Sequence, residues 1–180
     1  AGFIDLKNPF FKSLGSNGRS CASCHIPTQG WTITPSGVQK LFNKTQGLDP
    51  IFRLVDGANS PIADVSSIEK RREAYSMLLK KGNIRVGIGI PADAEFELIE
   101  VDDPYGFASE TELSLFRRPM PTTNLKFLST VMWDGRETTQ MPGSSDCIYN
   151  TSTCFSPVSF DLSTQASHAT LGHAEALQDL

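Results

Sequence analysis

The five residues CASCH, at positions 21–25, decide how this chain is expected to fold. Two cysteines three positions apart, followed at once by a histidine, form the C-x-x-C-H pattern typical of covalent haem attachment. On a short helical turn each thiol can add to one of the two haem vinyl groups, and the imidazole then lies beneath the iron. The motif predicts one c-type haem bound through Cys21 and Cys24, with His25 as an axial iron ligand.

Two other kinds of site also use a Cys-x-x-Cys pair. A thioredoxin-like redox pair needs a neighbouring strand–helix unit and gives no reason for His25. A zinc site needs more ligands at zinc spacing, and the remaining candidates do not form a finger pattern: Cys147, Cys154, His168 and His173. Chance placement of the cysteines and histidines gives this motif roughly once in a thousand such sequences. Haem attachment therefore explains the motif best.

Composition narrows the classes of partner and the compartment. A net charge of -4 with interspersed signs gives no basic surface for nucleic acid, and no apolar run is long enough to cross a bilayer. With no initial Met and no signal peptide, the sequence is expected to be a mature, processed form. Because thioether haem attachment takes place outside the cytoplasm, we expect a periplasmic or otherwise extracytoplasmic protein. There Cys147 and Cys154, which lie in one polar loop, are expected to form a disulfide.

Apolar spacing predicts four helical segments. They cover residues 3–14, 66–81, 109–116 and a final stretch that starts near Asp161 and is interrupted at Gly172. The second is the clearest, because Ser66 and Glu69 form a capping box and Gly82 is a stop signal.

Residues 84–90 and 95–101 are predicted to be two strands joined through residues 91–94. Residues 26–65, punctuated by Pro and Gly, are predicted to be loop with short helical turns. Residues 117–123 are predicted to be extended chain, and 137–159 a long polar loop. The sequence thus predicts a mainly α, cytochrome c-like single haem domain over residues 1–180. It would carry insertions at about 32–108 and 137–159 and a small β-hairpin.

A second axial ligand could come from several side chains: His168, His173, Met77, Met120, Met132 and Met141. Core packing is the commoner role of a methionine. Met120 stands out because prolines flank it in the sequence RPMP, as in an electron-transfer cytochrome c. A place on a helix surface explains the two histidines equally well.

Residues 117–124 (RRPMPTTN), followed nine residues on by residues 133–136 (WDGR), resemble a block of the bacterial dihaem cytochrome c peroxidases and their MauG-like relatives. That block, R-x-P-x-x-x-N…(W/H)-D-G-R, follows the first C-x-x-C-H motif in the family, as it does here. A later L-x-x-Q-A segment of the family is matched by residues 162–166 (LSTQA). The resemblance covers residues 9–26, 117–136 and 162–176.

The resemblance implies the peroxidatic N-terminal haem half, which reduces hydrogen peroxide or uses it to oxidise a partner. Breaking the O–O bond needs an acid–base group, and the family places its distal acid ten residues after the Gln, where Glu175 stands. Gln165 would orient peroxide, with His173 as an alternative acid–base group, and Trp133 would pass electrons between two haems. A surface carboxylate and a core tryptophan are the ordinary alternatives for Glu175 and Trp133.

The sequence departs from the family in three ways. Both loops between the matched segments are longer, and no second C-x-x-C-H follows, so the chain is expected to be a fragment or to receive its second haem from another polypeptide. Where many members have a histidine that caps the resting iron, this chain has Leu41, which implies an open or water-ligated iron.

The expected partners follow from the resemblance: a second haem domain or haem-bearing chain, a small redox donor protein, and Ca²⁺ at the interface with a missing second half. Arginines are the candidate partners of the haem propionates: Arg118 and Arg136, with Arg53 and Arg117 as alternatives. The competing function is an electron-transfer cytochrome c with six-coordinate haem.

Overall fold

The computed structural model describes residues 3–148 and 151–174. The chain divides into two compact units. The His25 unit is Ala22–Pro121, and the Trp133 unit combines the described residues before position 22 with those after position 121. The expectation of a mainly α fold is wrong, because helix of all kinds makes up only 31% of the structure and strand 11%. Of the expected helices, 3–14 forms only one 3-10 turn, and part of 109–116 is a strand.

Four α-helices are present in the described residues: α1 Pro35–Thr45, α2 Ile68–Ala74, α3 Ser76–Lys81 and α4 Val158–Ala169. Four strands form two antiparallel pairs: β1 Ile84–Ile88 with β2 Leu113–Arg117, and β3 Asp146–Cys147 with β4 Cys154–Phe155. Short 3-10 turns occupy Pro9–Phe11, Cys21–Ser23, Pro27–Gln29 and Leu125–Phe127. None of the helices in these ranges is long and apolar enough to span a membrane.

Helix α1, eleven residues long, lies inside the stretch 26–65, which was expected to be loop with short helical turns. Thr34 caps it, accepting a hydrogen bond from the Gly37 N–H at 3.1 Å, and Pro35 takes the first helical position. Pro35 thus acts here as a start signal rather than as a breaker. The helix buries Val38 and Phe42 in the core.

The predicted helix over 66–81 forms as two short helices, because Tyr75 interrupts it. The capping residue is Ser67 rather than Ser66, and its hydroxyl accepts from the Lys70 N–H at 3.2 Å. Gly82 ends α3 in the left-handed conformation, as predicted. Twelve buried apolar residues form the core around these helices: Ile33, Val38, Phe42, Ile51, Phe52, Ala58, Ala63, Ala74, Tyr75, Leu78, Leu79 and Ile84.

The predicted strand over 84–90 is confirmed as β1, but its expected partner is wrong. Residues 95–101 form no strand, and the predicted helix over 109–116 is largely β2, whose Leu113 pairs with Ile88. The side chain of Arg85 explains why β1 pairs with β2 rather than with residues 95–101. Its buried guanidinium pairs with Glu112 at 2.8 Å and donates to the Val55 carbonyl at 2.7 Å, so the acid beside β2 satisfies a cation on β1.

In the Trp133 unit, the predicted helix over 3–14 is wrong. Asn8 precedes Pro9, which disfavours the helical conformation at Asn8, and only one 3-10 turn forms. Helix α4 begins three residues before Asp161 and passes at Thr170 into a π turn that contains Gly172. The polar loop 137–159 holds β3 and β4, and the predicted Cys147–Cys154 disulfide joins them.

Candidate haem-attachment site

The CASCH motif begins with a 3-10 turn over Cys21–Ser23. Neither Cys21 nor Cys24 is in a disulfide, and both are half-buried. Cys24 packs against the core of the His25 unit. Covalent attachment of haem requires two thiols close together beside apolar surface. Cys21 and Cys24 meet this requirement, because they share one short turn next to an apolar core.

The His25 imidazole is oriented by the main chain of the following loop. Its Nδ1 lies 3.1 Å from the Trp31 carbonyl oxygen. Gly30 and Trp31 are both left-handed, with φ of 72° and 60°, a conformation that is costly for a bulky residue such as Trp. Hydrogen bonds from the Trp31 N–H to the Ile26 carbonyl and from the Ile26 N–H to the Thr32 carbonyl hold this turn closed. A histidine ring that is held at Nδ1 by a carbonyl would bind a metal through Nε2.

Burial lowers the pKa of His25, while main-chain hydrogen bonds with Trp31 and Met120 partly oppose the shift. The imidazole is therefore predominantly neutral at neutral pH. The neutral ring is the form that binds a metal ion.

Part of the block that carries the family resemblance lies against this histidine. The Thr32 hydroxyl donates to the Pro119 carbonyl at 2.5 Å, although the two residues are 87 positions apart. The next residue, Met120, contacts the His25 ring through its main chain. The fold thus brings the segment RRPMP to the haem motif, within one compact unit.

Arg118 has a partner already, since it donates to the Lys81 carbonyl at 2.7 Å at the end of α3. Its side chain also lies over Gly82, where an added Cβ would be 3.3 Å from the Arg118 Nε. Arg118 therefore caps a helix, and its expected role at a propionate stays a prediction.

An apolar cavity of about 280 Å³ adjoins the residue that follows His25. Its lining is Ile26, Gln29, Gly37, Val38, Lys40, Leu41, Lys44 and Ile51. Lys40 and Lys44 lie one turn apart on α1, and their ammonium groups could pair with carboxylates of a bound group. Sequence reasoning missed both lysines because it missed α1; their spacing of four was the available signal.

The residues of the CASCH sequence fit a c-type haem. The thiols share a turn, the imidazole is neutral and held through Nδ1, and the apolar cavity adjoins Ile26.

The predicted distal residues belong to the Trp133 unit. Trp133 is 89% exposed and so is not a core residue. Arg136 pairs with Asp134 at 3.3 Å, and its expected role at a propionate stays a prediction. Gln165 is half-buried on α4. One turn further on, the His168 Nδ1 lies 2.9 Å from the Glu137 carboxylate, which joins α4 to the residue after WDGR.

Two other predicted residues are less well defined. His173 lies in the π turn Thr170–Ala174, and the structure describes only the backbone of this residue. Glu175 lies outside the described residues. Within 3–148 and 151–174, no cluster of three or more His, Cys, Asp or Glu side chains could hold a metal ion. The expected Ca²⁺ stays a prediction tied to a second half.

Comparison with known proteins finds no matching family model, curated protein or solved structure.

Proposed function

We propose that the chain is a c-type haem protein that resembles the peroxidatic half of the dihaem cytochrome c peroxidases and their MauG-like relatives. It would reduce hydrogen peroxide, or use it to oxidise a partner, outside the cytoplasm. One observation carries the proposal: the RRPMP segment meets the CASCH loop through the Thr32–Pro119 hydrogen bond and the Met120–His25 contact. Two segments that the resemblance ties to one site are thus neighbours in the fold.

The residues at the attachment site have separate roles. Cys21 and Cys24 would hold the haem covalently, and His25 would bind the iron through Nε2 while the Trp31 carbonyl holds Nδ1. When bound, the haem supplies the redox chemistry and the iron position at which peroxide binds. The cations Lys40 and Lys44 join Arg118 and Arg136 as candidates for the propionates.

Leu41 favours a peroxidase over an electron carrier. A carrier would need a second protein ligand to the iron. Leu41, which stands where many members of the family have a capping histidine, cannot ligate iron, and it lines the apolar cavity. This residue supports an open iron.

The distal groups of the proposal come from the Trp133 unit. Glu175, with His173 as the alternative, would move a proton between the two peroxide oxygens, and Gln165 would orient the peroxide. Hydrogen peroxide takes up two electrons and two protons to give two waters. The one haem of this chain would supply one of the two electrons. Trp133, a second haem domain or a haem-bearing partner would supply the second electron. A small redox donor protein would then return both electrons to the enzyme.

The visible spectrum of the ferric protein tests the proposal. We expect high-spin iron, and no change on substituting Met120→Ala. Met141→Ala is the matched control, because both methionine side chains are 45% exposed. A sulfur-to-iron charge-transfer band that disappears only in Met120→Ala, together with inertness to peroxide, would establish the carrier function instead.

A further inference from the structure

The chain between β1 and β2 has a charge unlike that of the rest of the protein. Residues 86–116 contain eight of the twenty acidic residues and no Lys, Arg or His. All sixteen Lys and Arg residues lie elsewhere, with only twelve acids. This stretch therefore has a net charge of -8, and the rest of the chain has a net charge of +4. The centre of the stretch, residues 93–103, is named here the acidic segment.

Most of these carboxylates have no partner in the described structure. Glu112 pairs with Arg85, and Asp103 accepts hydrogen bonds from the N–H groups of Ala108, Tyr105 and Phe107, which lower its pKa. Six others are exposed and make no ion pair with any described residue: Asp93, Glu95, Glu97, Glu100, Asp102 and Glu110. Their charges repel one another, and an approaching cationic surface would relieve that repulsion.

Large apolar side chains alternate with the acids. Phe96 is 67% exposed, Ile99 84% and Val101 44%. Solubility explains exposed carboxylates, but it does not explain a phenylalanine and an isoleucine held in water between them. Apolar groups ringed by charge are typical of a protein–protein contact.

Within the acidic segment, the main chain of residues 95–101 has no hydrogen-bond partner among the described residues. The alternation predicts a strand over 95–101, yet in the described structure Glu95–Val101 forms neither helix nor strand, and its main chain makes no hydrogen bond. A strand-forming sequence with open N–H and C=O groups can pair with an extended segment of another chain.

We propose that residues 95–101 bind a partner protein by strand pairing, and that the partner's segment alternates basic and apolar residues. Main-chain hydrogen bonds provide the pairing, the carboxylates select lysine or arginine, and Phe96 and Ile99 bury against the partner's apolar side chains. Nucleic acids and anionic lipid surfaces are repelled by the same carboxylates. This inference does not depend on the haem function.

The test uses the full chain and a fluorescent eight-residue peptide that alternates Lys and Val, followed by fluorescence anisotropy. We expect saturable binding in a ratio of one to one. The variant Glu95→Gln/Glu97→Gln should weaken binding by about tenfold or more, because two cross-strand ion pairs are lost. The matched control Glu69→Gln/Glu73→Gln removes the same charge from α2 and should change binding by less than about twofold.

A second peptide separates strand pairing from simple charge attraction. It has the same sequence, but its alternate main-chain nitrogens are methylated, so the charge is kept and the donors are removed. We expect it not to bind, and Phe96→Ser/Ile99→Ser to weaken the unmodified peptide with no loss of thermal stability. Equal binding of both peptides, an equal effect of the α2 control, or no saturable binding at all would overturn the proposal.

Discussion

The two units of this chain are stabilised in different ways. The His25 unit has a core of twelve buried apolar residues, and its haem motif packs directly on that core through Cys24. Among the described residues of the Trp133 unit, only Val131 and Cys154 are buried apolar residues, beside four buried polar ones: Asn17, Arg19, Ser156 and Asp161. The attachment side is therefore fixed by packing, and the proposed distal side by hydrogen bonds and a disulfide.

The Trp133 unit also exposes large apolar side chains: Phe127 at 75%, Trp133 at 89% and Leu171 at 61%. Exposed apolar side chains mark a contact with a partner when they form one patch. In our proposal the second haem domain is the partner that approaches Trp133. The His25 unit also exposes Phe96 and Ile99, so the two units differ in their buried core rather than in exposed apolar surface.

A pair of Phe substitutions tests this contrast in stability most strongly. Phe42→Ala removes a fully buried ring and should lower the free energy of unfolding by about 3–5 kcal/mol. Phe127→Ala removes an exposed ring of the Trp133 unit and should cost less than about 0.5 kcal/mol. Urea denaturation followed by circular dichroism measures both. Similar losses in the two variants would show that the units do not differ as described.

Glu175→Gln tests the distal side. In an assembly that includes the second haem, it should slow the reaction with peroxide by roughly a hundredfold, because a general acid–base group is lost, while the haem spectrum stays unchanged. Trp133→Phe should instead slow electron delivery. Stopped-flow mixing with peroxide separates the two effects, and Glu110→Gln is the charge-matched control. A wild-type rate in Glu175→Gln would transfer the role to His173.

The disulfide should contribute less, and only to the Trp133 unit. Cys147 and Cys154 are seven positions apart, and loop-closure entropy for so short a ring amounts to about 2 kcal/mol. Cys147→Ser/Cys154→Ser should lower stability by no more than this and leave the haem spectrum unchanged. Alkylation of both thiols in the unfolded wild-type protein without prior reduction would disprove the bond.

Asp161 gives the smallest effect, together with a pH dependence. Its buried carboxylate accepts hydrogen bonds from the Ser156 hydroxyl at 2.7 Å and from the Thr139 N–H at 3.3 Å. Burial tends to raise the pKa of Asp161, but the hydrogen bonds from Ser156 and Thr139 outweigh it, and the pKa lies below its ordinary value. Asp161→Asn should therefore cost about 1–2 kcal/mol at neutral pH.

The sign of the pH dependence follows from the lowered pKa. Because the folded protein holds the Asp161 proton more weakly than the unfolded chain, the stabilisation is complete above the unfolded pKa of about 4. The stabilisation is lost as the pH falls through the pKa that Asp161 has in the folded protein. Thermal melting between neutral and acidic pH should show this loss in the wild type and not in Asp161→Asn. Parallel curves would contradict the assignment.

Local signals in the sequence were sufficient for some of the fold. Gly82 ends α3, residues 84–88 form a strand, and Cys147 pairs with Cys154. A stop signal, an apolar run and two cysteines in one short loop are all signals that lie within a few residues. The partner of β1 could not be predicted, since it depends on the buried Arg85 finding Glu112, 27 positions away. The alternation of acidic and apolar residues over 95–101 indicated a strand. It gave no sign that β1 would pair with β2 instead.

The candidate haem-attachment site shows the same difference between residues that a local pattern predicts and residues that only packing brings close. The C-x-x-C-H motif named Cys21, Cys24 and His25, because its chemistry requires adjacent residues. No pattern indicated that Trp31, in a left-handed conformation that Trp rarely adopts, would hold the His25 Nδ1. The approach of Pro119 to Thr32 was likewise a property of packing, and it was anticipated only through the family resemblance.

The intact mass of the chain, produced in cells that attach haem c outside the cytoplasm, tests the central claim most directly. We predict the sequence mass plus one haem, with the colour remaining in the protein after extraction with acidic acetone. Cys21→Ala/Cys24→Ala should lose the added mass, and Cys147→Ser/Cys154→Ser should keep it. A wild-type chain at its unmodified mass, with any colour passing into the solvent, would contradict the account.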